Sequence, residues 1–233
     1  MKEKILCFFG FIIIFALWIV FTSGINEEEM IGSIMNGNYK YLDNEEDKMK
    51  LSSMNDSGTL EMLEWVCYDA NNDGKKDLIL QEKAYSPNIN LKPIVGILGA
   101  TGAGITVIEW DVADMAEYYC LCNGRLLFYY GKDGLLGTES FGLFEYDQNW
   151  NKKWLGGLEK NWINDTDDIY DMPEEWRREN PDMLQEGIYY RKFQSEEAEE
   201  TSGRKYTIIT EHQWMDEFYQ VFGVEYNDIK SSR

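Results

Sequence analysis

A run of acidic and amide side chains between residues 69 and 77 has the spacing of a calcium-binding loop. Oxygen-bearing side chains occupy positions 1, 3, 5 and 9, and Gly74 occupies position 6. Alternate residues of a tight loop point inward, glycine permits the sharp turn, and the carbonyl at position 7 adds another oxygen. Together these groups approach the roughly six to eight oxygens that calcium prefers. We therefore predict one structural calcium site, with the ligands Asp69, Asn71, Asp73, Lys75 (through its carbonyl) and Asp77.

The residues after this loop distinguish between two kinds of calcium motif. An EF-hand needs a bidentate glutamate at position 12, where this chain has Leu80, and Leu78-Ile79-Leu80 predicts a strand and not a helix. Residues 65–80 instead resemble the strand-loop-strand calcium motif of FG-GAP and VCBS-type repeats, which occur in integrin-type propellers and many secreted bacterial proteins. The resemblance implies the same five calcium ligands. Those families usually carry several copies and this chain has one, which argues against a propeller. An ordinary polar turn is the alternative, because Asn, Asp and Gly are common turn residues.

The amino terminus has the features of a membrane-targeting segment. Lys2 and Lys4 precede 17 apolar residues, 5–21, and three glutamates follow at 27–29. This length lies between a signal-peptide core and a membrane-spanning helix, so residues 1–24 are predicted to be a signal peptide or a signal anchor. The charge asymmetry directs the remainder outside the cell. The expected location is therefore the cell membrane, as a single-pass protein with an extracellular domain, or the secreted fraction.

Composition limits the partners that the chain can have. It has 22 Lys and Arg residues against 42 Asp and Glu residues, a formal charge of -20. This excess repels phosphate backbones, so no nucleic acid partner is expected, whereas cations are natural ligands. The 15% aromatic content predicts a packed core. Of the four cysteines, three lie in the predicted exported part, Cys67, Cys120 and Cys122. Because three is an odd number, two alternatives stand: one bridge from Cys67 to either of the others, or three buried thiols.

The pattern of short apolar runs predicts a mainly β (α+β) fold, an antiparallel meander sheet with a C-terminal helix, preceded by the membrane-targeting helix. Residues 25–51 are predicted to be a helical and polar connection, and residues 52–233 a β-rich extracellular domain with an acidic insertion at 164–186. Asn123-Gly124 predicts a tight hairpin. Thr210 and Gln213 predict the capping box of the last helix, whose apolar face is formed by Trp214, Phe218, Val221 and Phe222.

Signals of catalysis are weak. Residues 95–104 resemble locally the glycine-rich opening of a nucleotide-binding dehydrogenase, but the β-branched run at 105–110 predicts a strand where that motif needs a helix. His212 is the only histidine, and no zinc helix or nucleophile elbow is present. The chain is therefore predicted not to be an enzyme.

The predicted function is an exported or membrane-tethered extracellular binding or interaction module, stabilised by one calcium loop. The partners are the membrane, through the amino-terminal helix if it is not cleaved, and an extracellular protein or glycan. Four tryptophans, at 150, 154, 162 and 176, form an aromatic binding face if they are exposed together, although core packing explains most tryptophans better. The alternatives are a secreted carboxylate-dependent hydrolase and an assembly partner of a membrane complex.

Overall fold

The computed structural model describes residues 26–86, 89–101, 104–110, 117–131, 139–163, 178, 187–193 and 206–230, with the backbone alone at 161–163, 187–189, 193 and 206. The targeting segment 1–24 and, apart from residue 178, the acidic insertion 164–186 lie outside these residues. Among the helices that are described, none is long and apolar enough to span a membrane.

Two capped helices precede the sheets. Helix α1 covers Glu27–Met35 and α2 covers Glu45–Asp56, with Asn26 and Asn44 as the respective N-caps. Each asparagine side chain accepts a hydrogen bond from the backbone N–H two residues later, and acidic residues in each first turn favour the helix dipole. Much of α2 lies where the sequence predicted a polar connection. Leu51 is the one fully buried residue of α2, so this helix needs few apolar residues and its sequence shows only a weak apolar pattern.

The first sheet is a four-stranded antiparallel meander that follows a short 3₁₀ turn at Thr59–Met62. Its strands are β1 Leu63–Tyr68, β2 Asp77–Glu82, β3 Ile94–Ala100 and β4 Ile105–Trp110. Most of the glycine-rich stretch 95–104 lies within β3 and not in a connection between strands, and the residues that follow it form β4 and not a helix.

The second sheet is a six-stranded antiparallel meander in the order β10-β9-β8-β7-β6-β5. Its strands are β5 Glu117–Cys122, β6 Arg125–Gly131, β7 Glu139–Tyr146, β8 Lys152–Ile163, β9 Gly187–Phe193 and β10 Tyr206–Ile209. Asn123 and Gly124 make the predicted hairpin, with φ values of 48° and 71° that fit a type I′ turn. The antiparallel meander is thus confirmed, but it is divided into two sheets.

The two sheets and their helices stack in four layers, with a cluster of buried side chains between each pair of layers. The first cluster lies between α1, α2 and the first sheet, and includes Ile34, Leu51, Leu78 and Leu98. The second lies between the sheets, and includes Ile79, Ile94, Ile97, Leu126, Phe144 and Tyr146. Successive residues of β2 belong to different clusters because side chains alternate across a strand.

The third cluster lies between the second sheet and the C-terminal helices α3, Glu211–Phe222, and α4, Tyr226–Ile229. The predicted capping box of α3 is present, and Gly223 ends the helix with φ of 70°. Trp214, Phe218 and Phe222 are fully buried. Burial of each such side chain contributes about 1.5–3 kcal/mol. This cluster is therefore a main source of the stability of the second sheet.

Three glycines lie in close contact with tryptophan rings. An added Cβ at Gly99 would lie 2.3 Å from Cζ2 of Trp150, and one at Gly142 would lie 2.7 Å from Cζ3 of Trp154. Gly96 lies against Trp110 in the same way. Glycine is required at these positions because the indole ring occupies the space that a side chain would fill.

All three described cysteines are free thiols. Cys120 and Cys122 are buried on β5, as expected for structural thiols, whereas Cys67 is exposed on β1. The bridge from Cys67 is therefore not formed, and the expectation that all three thiols are buried is wrong for Cys67.

Candidate metal centre

The predicted calcium loop connects β1 to β2. Tyr68, the last residue of β1, pairs with Asp77, the first residue of β2, so the loop closes an antiparallel hairpin. Strands flank the loop on both sides, as the strand-loop-strand interpretation requires. Asn72 and Gly74 have positive φ values, 56° and 85°, which turn the chain sharply at the centre of the loop.

Three of the predicted ligands converge on the same turn. The N–H of Asp73 donates to Oδ1 of Asp69 at 3.1 Å and to Oδ1 of Asn71 at 3.2 Å, so those two oxygens lie on one side of the loop. The second oxygen of Asp69 accepts from the N–H of Gly74 at 3.0 Å. Asp73 itself accepts from the N–H of Lys75, and its other oxygen lies 3.1 Å from the Lys75 ammonium.

Asp77 is the buried carboxylate of the loop, with 1% of its surface exposed. One oxygen accepts from the N–H of Ala70 and the other from the N–H of Ala100, both at 2.9 Å. It therefore ties the start of the loop to the end of β3. Burial raises the pKa of Asp77 to about 6, the two backbone hydrogen bonds oppose this rise, and the charges of Asp73 and Asp69 add to it.

The loop also receives a carboxylate that the sequence did not indicate. Oε1 of Glu27, in the first turn of α1, accepts from the N–H of Lys76 at 2.6 Å. Forty-nine residues separate the pair, and no local pattern connects them. Glu27 adds negative charge near the loop, where the Lys75 ammonium is paired with Asp73.

The donor set has the chemistry that calcium requires: three carboxylates, one amide oxygen and the Lys75 carbonyl, which accepts no hydrogen bond from the described residues. No three His, Cys, Asp or Glu side chains in the described residues are grouped as metal ligands would be. Each carboxylate oxygen of Asp69 and Asp77 accepts one backbone hydrogen bond and retains a second lone pair for a cation. The residue types therefore suit calcium, while Asp77 is directed to the amides of Ala70 and Ala100, and the ligand set Asp69, Asn71, Asp73, Asp77 and the Lys75 carbonyl stays a prediction.

A cleft of about 310 Å³ lies beside the loop. Tyr68, Ala70 and Asn72 form one wall, while Arg125 and Glu145 of the second sheet line the other. The hydroxyl of Tyr68 donates to the carbonyl of Gly124 at 2.9 Å, which joins the two walls at one end. The loop thus forms part of a polar cleft between the sheets.

The described tryptophans of the expected binding face pack into the second cluster. Trp150 and Trp154 are half-buried, and Trp154 contacts Phe128 and Phe144 at ring-centroid distances of 5.7 and 5.4 Å. The side chains of the other two tryptophans, at 162 and 176, lie outside the described residues. Packing against the second cluster therefore accounts for the presence of tryptophan at positions 150 and 154.

The ammonium group of Lys152 lies among aromatic rings of the second cluster. The Nζ of Lys152 lies 3.9 Å from the ring centroid of Tyr119 and 4.7 Å from that of Phe144. It also contacts both oxygens of Glu109 on the first sheet, at 3.0 and 3.1 Å. A charged pair in aromatic surroundings thus joins the two sheets.

The remaining side chains that could take part in catalysis lie on separate elements of the fold. His212 is exposed at the start of α3, where a hydrogen bond with its own backbone and the charge of Asp216 raise the pKa of its imidazole. Two buried glutamates are paired with cations, Glu159 with Arg191 and Glu139 with Lys230.

No protein-family model, curated protein or solved structure matches this chain. The resemblance to FG-GAP and VCBS-type repeats therefore remains a prediction that rests on the loop residues.

Proposed function

We propose that the chain is an exported or membrane-tethered extracellular binding module, without enzymatic activity, in which one structural calcium ion stabilises the loop between β1 and β2. The observation that carries this proposal is the buried Asp77 carboxylate beside Asp69 and Asp73. Burying a carboxylate near other negative charges costs free energy, and a bound cation offsets that cost. The targeting pattern of residues 1–24 supports the extracellular setting, in which calcium is abundant.

The cleft beside the loop supports a binding role. A calcium ion would fix the wall formed by Ala70 and Asn72 relative to Arg125 on the opposite wall. In this proposal, the cleft binds a polar group on the surface of an extracellular protein or glycan. The hydrolase alternative needs two carboxylates that face one cleft. The two buried glutamates that could serve in such a pair are each bonded to a cation, Glu159 to Arg191 and Glu139 to Lys230.

Calorimetric titration of calcium into the metal-free purified chain tests the proposal. We expect one site with a Kd of about 10⁻⁴ to 10⁻³ M, which is the range of extracellular modules. At 100-fold excess over the Kd, calcium should stabilise the fold by about 2.7 kcal/mol and raise the Tm. Asp73→Ala should abolish both effects. Asp147→Ala, which removes an aspartate from a different turn, is the matched control and should leave calcium binding intact. Absence of both heat and thermal shift, or equal binding by Asp73→Ala, would reduce the loop to an ordinary turn.

A further inference from the structure

The two sheets have four outer strands, and three of these are protected against pairing with another chain. Ile105, at the start of β4, bonds to the backbone of the loop between α1 and α2. Cys120 on β5 is bridged by Pro93. Strand β10 has four residues, and short outer strands offer little to a partner.

Strand β1 is the outer strand without these protections. It has six residues, and its ladder with β2 runs through six residue pairs without a bulge. Apart from β2, no group in the described part of the chain bonds to the backbone of residues 64–68. Most residues of β1 are half-buried, whereas most of β2 is fully buried, so the outer edge of β1 reaches the surface. An open edge presents unpaired N–H and C=O groups to a further strand.

The residues of β1 favour strand pairing. Glu64 is its one charged residue, and the strand has no proline or glycine. Glu64 accepts hydrogen bonds from the side chains of Gln81 at 2.6 Å and Lys92 at 2.8 Å, so its charge is engaged within its own sheet. Open edges are usually guarded by free charges, proline or bulges, and a nearly uncharged strand without them is suited to pairing.

Two copies of β1 are complementary to each other. A two-fold axis perpendicular to the sheet makes the two strands antiparallel and keeps equal faces on the same side. With the axis at Val66, this residue lies opposite its own copy, and Trp65 lies opposite Cys67. Glu64 lies opposite Tyr68. Aromatic and β-branched cross-strand pairs stabilise a sheet, and this register brings no like charges together.

The exposed thiol of Cys67 lies on this edge. The other two described cysteines are buried, and all three are free. An unpaired cysteine in an exported protein indicates either a contact between chains or a reactive thiol. With the axis at Val66, the two Cys67 residues are diagonal neighbours at about 7–8 Å, beyond the reach of a direct disulfide. Contact at this edge is therefore noncovalent, and a short cross-linker can join the two thiols.

We propose that β1 pairs with β1 of a second copy, so that two four-stranded sheets join into one sheet in a symmetric dimer. Backbone hydrogen bonds of residues 64–68 supply the contact, together with the side chains of Trp65. The dimer carries two copies of the cleft beside the calcium loop, which strengthens attachment to a surface that repeats the same ligand. The pairing itself goes beyond the proposed function and does not depend on calcium.

Cross-linking through the native Cys67 tests the pairing. The full-length chain with Cys7→Ser is reconstituted in excess phosphatidylcholine vesicles and treated with a short bismaleimide, while Cys120 and Cys122 stay buried. We expect a cross-linked dimer that Cys67→Ser abolishes. Tyr219→Cys on the Cys67→Ser background is the matched control, because it places an exposed thiol on α3, beyond the second sheet. It should give only the background of random collisions.

A charge at the edge should break the dimer. Sedimentation equilibrium of the full-length chain in detergent measures its Kd. Cys67→Lys should raise the Kd by at least about tenfold, because it sets two lysines side by side at the two-fold axis. Tyr219→Lys makes the same charge change on α3 and should alter the Kd by less than about twofold. Added salt should lower the Kd of the wild type, because it screens the repulsion between copies that each carry a formal charge of -20.

Three results would overturn the proposal. Absence of cross-linking through Cys67 would show that the edges do not meet. Equal cross-linking through Cys67 and through the thiol on α3 would show collision, or association through residues 1–24. Equal Kd values for Cys67→Lys and the wild type would place the contact elsewhere. The dimer should form equally in calcium and in EDTA, so failure of the calcium proposal leaves this test unchanged.

Discussion

Replacement of Asp77 by asparagine should change how stability depends on pH. In the folded chain, burial raises the pKa of this carboxyl from 3.8 to about 6. Because the folded value lies above the unfolded value, the folded state holds the proton more tightly. The contribution of Asp77 to stability is therefore fully present below the unfolded pKa and is lost as the pH rises through about 6. The full loss corresponds to about 3 kcal/mol.

Urea unfolding in EDTA, followed by circular dichroism from pH 5 to 7.5, measures this effect away from the isoelectric point of about 4.4. Asparagine keeps the shape but does not titrate, and it leaves one of the amides of Ala70 and Ala100 without an acceptor. The free energy of unfolding of the wild type minus that of Asp77→Asn should fall by about 1.5 kcal/mol across this range.

Asp147→Asn is the control for this measurement. Hydrogen bonds from the side chain and backbone of Asn151 lower the pKa of Asp147, so its contribution is fully present above the unfolded pKa and constant from pH 5 to 7.5. A wild-type minus Asp77→Asn difference that stays constant within about 0.5 kcal/mol would refute the buried-carboxylate reasoning.

Two further substitutions test the packing of the second sheet, each by denaturant unfolding beside a control. Phe218→Ala should destabilise the fold by about 3–5 kcal/mol because the ring is fully buried. Tyr219→Ala, at the neighbouring exposed residue, should cost less than about 1 kcal/mol. Equal effects would contradict the burial of Phe218 in the third cluster. Glu159→Gln should cost about 3 kcal/mol because it removes a buried carboxylate that is paired with the Arg191 cation, and Glu145→Gln, at an exposed pair, should cost less than about 1 kcal/mol. An equally small cost for both would show that water or other groups compensate the Arg191 charge.

Local signals in the sequence predicted the local structure well. Asn123-Gly124 specifies a hairpin because both residues accept positive φ, and the Thr210–Gln213 capping box specifies the start of α3 within one turn. Strand boundaries around the loop at residues 69–77 also follow from short-range patterns.

Features that depend on long-range packing could not be read from the sequence. Helix α2 lacks a strong apolar face, so tertiary contacts through Leu51 fix it where propensity does not. The division of the meander into two sheets depends on which side chains meet in the second cluster. For the candidate site, spacing predicted a set of oxygen donors in the loop, which stays a prediction. Spacing could not show that Asp77 reaches Ala100 on β3 or that Glu27 reaches Lys76.

The contact between Gly99 and the ring of Trp150 couples a position on the first sheet to the turn between β7 and β8 of the second. During evolution, neither residue can change freely. Alanine becomes acceptable at position 99 after position 150 has lost its indole ring, and alanine at position 99 is disfavoured while Trp150 is still present. The same dependence links Gly96 with Trp110 and Gly142 with Trp154. Distant relatives of this chain should therefore show compensating substitutions at these three pairs, and the pairs offer a signature by which such relatives can be recognised when overall identity is low.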